Sequence, residues 1–291
     1  MEFWLFIFGL AIGSFLNVVA LRYDPDKFIL NKNILGGRSA CPKCGHKLKW
    51  FELVPLLSFL FLLGRCRKCR KRISFQYPIV ELLTGLIFVF VPKFLSLSAI
   101  SLGNPCLRQG VLCSTLQVSW ILVFLTLLVL SLIDFRLKLI PDEASIFLVA
   151  LGIIIAALTV DQFSSVSGSY LGPYGALFGL RENIWLNRLV AVLFGAIFYF
   201  ALILITRGRG MGMGDLKLTA ALGLVFGWPD IILITALSFI IGSLFSIPLM
   251  VARKKGLKSF LPFGPFIALA ALAVFSFGER LMSLYFSLFK G

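Results

Sequence analysis

The sequence predicts an all-α polytopic membrane protein of about eight transmembrane helices, with a small cytoplasmic insert. Three observations predict this class. Of 291 residues, 59% are hydrophobic and 14% charged, with a mean hydropathy of +0.98, far too apolar for a soluble chain of this length. Apolar runs recur at roughly the ~20 residues that span hydrocarbon. The basic residues, 28 against 13 acidic ones, gather in alternate loops, which marks those loops as cytoplasmic. A net charge of +15 would suggest nucleic acid in a soluble protein, but its distribution here argues for topology.

Taken in order, the first run is Phe3 to Leu21. It has no basic leading region and no small-residue cleavage site close behind it, so it reads as a retained helix and not a signal peptide. The segment from Arg22 to Pro78 then carries 13 of the 28 Lys and Arg. Further spans are predicted near 79–95, 119–135, 144–160, 187–206, 215–228, 230–251 and 261–284. The span at 215–228 is short and ends at Gly227-Trp228-Pro229, which predicts a tilted or buried helix, or one continuous with a tight external turn. An outside amino terminus puts 22–78, 136–143, 207–214 and 252–260 inside. It puts 96–118, 161–186 and the Trp228-Pro229 turn outside. The domain division expected is 1–22 as first helix, 23–78 as cytoplasmic module and 79–291 as membrane domain. No internal repeat is visible.

Within the module, Cys41-Pro42-Lys43-Cys44 and Cys66-Arg67-Lys68-Cys69 form two CxxC pairs separated by 21 residues. Each pair can supply two thiolates from a tight turn, and together they make a closed tetrahedral site for structural zinc. Two disulfides are disfavoured in a reducing compartment, and a redox-active pair usually occurs singly. His46, the only histidine, is a spare beside four cysteines. Cys106 and Cys113 fall in an external loop, where an oxidising compartment lets them pair.

Two carboxylates stand at the ends of apolar stretches. Asp134 closes the run from Trp120 to Ile133, and Asp215 opens a helix after Gly212-Met213-Gly214. Acidic residues at a membrane edge are costly and are functional candidates by default. A single one could be a helix-end charge beside Arg136 and Lys138. The threading, however, puts both at one inner face, where two aspartates sharing a proton can activate water. No second cluster of His, Asp or Glu accompanies them as a metal site would need. Lys217, Asp142, Glu52 and Glu81, with Gly212 and Gly214, are candidate substrate contacts near the same face.

These residues resemble the bacterial type IV prepilin peptidases, a family of membrane aspartic proteases that are leader peptidases and N-methyltransferases. The resemblance rests on Gly13-Ser14-Phe15-Leu16-Asn17, the two CxxC pairs with Trp50-Phe51-Glu52 and Pro55-Leu56-Leu57-Ser58, and Tyr77-Pro78-Ile79-Val80-Glu81. In the membrane part it rests on Asp134, Ile140-Pro141-Asp142, Gly212-Met213-Gly214-Asp215-Leu216-Lys217 and Leu261-Pro262-Phe263-Gly264-Pro265-Phe266. The glycine-aspartate element alone is shared with presenilin-like proteases. One position departs: the family usually carries Asn-Ile or Asn-Leu after the module glutamate, where this chain has Leu53-Val54, and that bears on methylation and not on proteolysis.

The resemblance implies cleavage of the basic leader of type IV prepilins or pseudopilins after a glycine, at the cytoplasmic face of the bacterial inner membrane. Methylation of the new amino terminus from S-adenosylmethionine would follow. It implies Asp134 and Asp215 as catalytic residues and Cys41, Cys44, Cys66 and Cys69 as zinc ligands. The rivals are a peptidase without methylation, an assembly factor docking a partner through the zinc module, and an ion- or proton-coupled transporter. The transporter would place its acidic residues near mid-membrane.

Overall fold

Lipid offers no partner to a free N–H or C=O, so an apolar chain that enters it must satisfy its backbone within helices. The computed structural model, which describes residues 2–26, 39–41, 43–101, 110–160, 169–175, 183–208, 210–251 and 262–288, answers that demand. Its helices are α1 (Glu2–Arg22), the short α2 (Leu57–Phe61), α3 (Gln76–Ser101), α4 (Gly110–Leu137) and α5 (Asp142–Leu158). They are followed by α6 (Ile184–Thr206), α7 (Met213–Phe226), α8 (Asp230–Val251) and α9 (Gly264–Leu288). Short 3₁₀ turns lie at Trp50–Leu53 and Gly172–Tyr174. Among the described residues there is no strand, only two isolated bridges.

Each of the eight predicted spans is met by one helix, and six are long and apolar enough to cross a membrane. The other two are α5, with 17 residues, and α7, with 14. The chain is a multi-pass membrane protein. α7 leads through Gly227, Trp228 and Pro229 straight into α8, as the sequence suggested. Its Leu218, Leu222 and Val225 are wholly buried, so neighbouring helices shield much of it.

Contacts divide the chain into two units, Met1–Leu97 and Ser98–Gly291. In the first, α1 and α3 run antiparallel with their backbones close together at glycines. A Cβ on Gly9 would lie 2.8 Å from the Cα of Gly85, and one on Gly13 would lie 2.8 Å from the Cα of Glu81. One turn further, the Asn17 amide donates to the Tyr77 carbonyl at 3.2 Å. Every fourth residue along α1 thus meets every fourth residue back along α3, the small-residue packing that lets helices associate in lipid.

The module between them is two copies of one turn. Gly45 N–H donates to the Cys41 carbonyl at 2.9 Å, and Arg70 N–H donates to the Cys66 carbonyl at 2.8 Å. Single bridges close the copies at Ala40 with Lys47 and at Arg65 with Arg72. Both turns need a left-handed residue at the same place, Gly45 at φ 65° and Arg70 at φ 53°. Glycine adopts this region freely, whereas a side chain there costs about 1–2 kcal/mol.

In the second unit, aromatic packing and a polar cluster close the end remote from Asp134 and Asp215. Trp120 packs against Phe124, Tyr170, Phe226 and Phe275 with ring centroids 4.9–6.0 Å apart. The Asn187 side chain pairs with both backbone groups of Trp228, at 2.7 and 3.0 Å. Asp230, fully buried, accepts from the Ser169 hydroxyl at 3.0 Å, and Arg188 donates to the Val225 carbonyl.

The two module turns make opposite predictions for one backbone region. Gly45→Ala meets open space and suffers only the dihedral cost, so it should speed hydrogen exchange of amides 43–47 by about fivefold, as ~1 kcal/mol implies. Arg70→Gly, by relieving the same strain, should leave amides 68–72 as protected as in wild type or more so. Exchange mass spectrometry of the full chain in detergent reads both.

Candidate functional site

Asp134 sits near the carboxyl end of α4 and is only 5% exposed. Its backbone carbonyl accepts from Lys138 N–H at 2.9 Å, and Lys138, at φ 54°, ends the helix in a left-handed turn. Its side chain reaches the start of another helix: Gly264 N–H donates to Oδ2 at 2.9 Å. Gly264 opens α9, whose second residue is Pro265, so this donor has no helical partner of its own. A helix start offers free amides and a partial positive charge, and a carboxylate is a natural occupant. A Cβ there would lie 2.8 Å from Oδ2, so any larger residue would push the Asp134 carboxyl aside.

Asp215 lies in the first turn of α7 and is 9% exposed. Its Oδ2 accepts from Gly212 N–H at 3.3 Å. Gly214 lies against Ile140, whose Cβ would be 3.0 Å from any Cβ at position 214. The loop before α5 and the start of α7 therefore approach closely at that glycine, and a side chain there would have to displace Ile140. Asp134 and Asp215 are near enough to interact electrostatically. Two buried carboxyl groups from different helices thus lie within electrostatic reach of each other, each held by an amide at a helix start.

Lys217, also on α7, is bound to Asp142 of α5 at 2.7 and 2.9 Å. The pair is roughly half exposed, so water screens it and partner exchange costs little. It stands at one end of a groove of about 710 Å³ between α5, α6 and α7, walled by Ile146, Val149, Trp185, Leu189 and Leu216. Glu52 and Glu81 belong to the amino-terminal unit, and both carboxylates hold backbone there. Glu52 accepts from Lys49 N–H at 2.8 Å, and Glu81 accepts from Leu56 N–H at 2.9 Å. Those bonds set the entry to the 3₁₀ turn and to α2.

The four module cysteines come together. Their sulfurs all lie within 4.8 Å of one another, with Cys41 to Cys69 at 4.0 Å and Cys44 to Cys66 at 3.9 Å. A tetrahedron with metal–sulfur bonds of ~2.3 Å has edges of about 3.8 Å, so the cluster fits a metal ion with only slight contraction. Amides of Cys69 and Lys68 donate to the Cys66 sulfur and bring its thiol down to about 7, whereas Cys44, despite the His46 amide, is pushed up to about 11 by burial and by the other three sulfurs. His46 is outside the cluster. Cys113 is disulfide-bonded, and its expected partner Cys106 lies outside the described residues.

The sequence did not reveal the Gly264 donor as such, because a backbone amide has no residue signature. The available signal was a Gly-Pro pair opening an apolar run, which marks a helix start.

Comparison with known proteins places this arrangement. Residues 7–94 match the bacterial peptidase A24 N-terminal domain and residues 121–247 match the type IV leader peptidase family. The prepilin leader peptidase/N-methyltransferase of Aeromonas salmonicida is 33% identical, over 97% of this chain and 92% of the relative. The chain belongs to the type IV leader peptidase family. Prepilin leader peptidases/N-methyltransferases of Pseudomonas aeruginosa and Bacillus subtilis are each 30% identical, over 96% and 99% of this chain and 91% and 98% of theirs. No solved structure matches.

Two outcomes test the site as built. Gly264→Ala should cut activity at least tenfold while leaving the helices intact, since one misplaced donor costs about that or more; leader-cleavage assays with circular dichroism on the same sample show it. Cys66→Ser should release bound metal and open residues 39–75 to protease, because metal binding supplies much of the folding energy of such small modules; elemental analysis and limited proteolysis read the two effects.

Proposed function

We propose that this protein is a membrane aspartic endopeptidase that removes the basic leader of a type IV prepilin or pseudopilin, with Asp134 and Asp215 as the catalytic pair. The observation that carries this reading is the meeting of two buried carboxyl groups, each held by a helix-start amide, in a chain of this family. Two such groups at close range share one proton, because both cannot ionise cheaply together. The ionised member takes a proton from water as that water attacks the scissile carbonyl carbon. The protonated member gives its proton to the carbonyl oxygen. The gem-diol then collapses: the C–N bond breaks, the departing nitrogen collects the proton that the first carboxyl took, and a gem-diol hydroxyl returns its proton to the second, which restores the pair. Neither acid becomes bonded to substrate.

The groove beside α7 supports lateral entry. Its apolar walls suit the precursor's own membrane helix, and its polar end lies at Asp142 and Lys217, two residues past Asp215. A leader Lys or Arg can replace Lys217 on Asp142 at small cost. Cleavage after glycine is in keeping with the extended backbone that such a site must accept. The basic segment 22–78 supports a cytoplasmic face for the module and for this end of the helices, hence the inner membrane. The membrane part from residue 79 onward carries the peptidase residues, and residues 23–78 hold zinc at Cys41, Cys44, Cys66 and Cys69 as a structural clamp.

Methylation of the new amino terminus from S-adenosylmethionine is the second proposed step, supported by the names of the relatives. Leu53-Val54, where the family usually has an asparagine, makes this the step that an assay must establish separately.

Mass spectrometry of a prepilin incubated with the purified protein and S-adenosylmethionine separates the steps. Wild type should remove the leader and add one methyl group, and Asp134→Asn and Asp215→Asn should each leave the precursor whole. Cleavage by either folded variant would remove the catalytic pair. Cleavage without the methyl mass would leave a peptidase alone.

A further inference from the structure

Among the described residues, four buried side-chain atoms lack a hydrogen-bond partner. Asn17 Oδ1 belongs to the amino-terminal unit, and Arg188 Nε and Asp230 Oδ2 belong to the cluster around the Trp228-Pro229 turn. The fourth is the hydroxyl of Tyr199, a residue that is 0% exposed on α6. Leaving a phenol hydroxyl unpaired in a dry interior is unfavourable, and a plain packing role is met as well by phenylalanine.

The register of α6 against α7 says what this hydroxyl faces. The helices run antiparallel and touch backbone to backbone: a Cβ on Gly223 would lie 2.7 Å from the Ala191 carbonyl oxygen. One turn further along α6, a Cβ on Gly195 would lie 3.2 Å from Thr219. The next turn brings Tyr199 opposite Asp215. The same succession of rungs joins α1 to α3, where the third rung is the Asn17 to Tyr77 bond. Tyr199 and Asp215 do interact electrostatically, and Thr219 and Ser238 are the other polar neighbours of the phenol. Both of those hydroxyls donate to backbone carbonyls, Thr219 to Asp215 at 2.8 Å and Ser238 to Thr235 at 2.7 Å, and their oxygens keep lone pairs on which the phenol proton can rest until the site assembles. The ring itself is fixed among Phe198, Phe239 and Phe263.

We propose that Tyr199 is a positioning residue of the peptidase site, holding its hydroxyl proton for the Asp215 carboxyl when substrate and water assemble there. This rests on the reading of Asp134 and Asp215 as the catalytic pair. The donor constrains the rotation of a carboxyl group whose other visible bond, to Gly212, is long at 3.3 Å. Asp134 has its Gly264 amide for the same purpose. Each acid then has one firm support, from backbone in one case and from a side chain in the other.

Tyr199→Phe removes the hydroxyl and keeps the ring. With a prepilin substrate, kcat should fall about tenfold, as the loss of one hydrogen bond near 1.4 kcal/mol implies, with KM within about twofold and thermal stability unchanged, the mark of support lost only in the reacting complex. Phe239→Leu, which disturbs the packing of the ring without touching the hydroxyl, should retain more of its kcat than Tyr199→Phe. Wild-type kcat in folded Tyr199→Phe, or an equal loss in Phe239→Leu, overturns the proposal. Asp134→Asn and Asp215→Asn run beside them: if those variants cleave, the catalytic pair is wrong, whereas if they are inert and Tyr199→Phe is normal, only the role of Tyr199 falls.

Discussion

Backbone contact between α6 and α7 is the constraint on which the rest depends. Lipid is as apolar as leucine, so helices in it gain little from burying apolar surface and must gain from dispersion at close range. Ala191, Gly195 and Gly223 allow that range, and they fix the register in the same stroke. Register places Asp215, and the long connection through α8 brings α9 to where its first amide can meet Asp134. Charges that would be prohibitive alone become tolerable because each meets a donor already in place.

The amino-terminal unit solves a different problem with different means. Its module is too small and too polar to fold on apolar burial, so repeated backbone turns present four sulfurs and a metal can join them. Glu52 and Glu81 then orient the chain between the turns by capping amides. Two leucines with positive φ, Leu56 at 57° and Leu63 at 48°, flank α2, and the strain they carry is borne by these anchored turns.

Much of this was legible because the informative residues are chemically rare in their surroundings. Four cysteines in two short pairs, and two aspartates ending apolar runs, stand out in a chain with few charges. The eight helices were legible from hydropathy, although α5 and α7 proved too short to count as full spans by length. What escaped was carried by backbone or by ordinary residues. The Gly264 amide has no signature. Tyr199 in an apolar helix reads as core until its rung partner is known. The likeness of the two module turns is in their dihedrals and bonds, where Gly45 matches Arg70, so no internal repeat shows in the letters. The backbone bonds that Glu52 and Glu81 accept also escaped, because composition cannot tell a cap from an open charge.

The shortness of α7 has a consequence for how water reaches the carboxyls. Fourteen residues rise about 21 Å, against a hydrocarbon thickness of roughly 30 Å. The deficit is about 9 Å, and at its far end the helix passes directly through a tight turn into α8. Because neighbouring helices cover most of α7, that shortfall lies inside the bundle and not against lipid, and the start of α7 is where the carboxyls stand. The missing turns leave a recess among longer helices, through which water can reach a bond that lipid would otherwise keep dry.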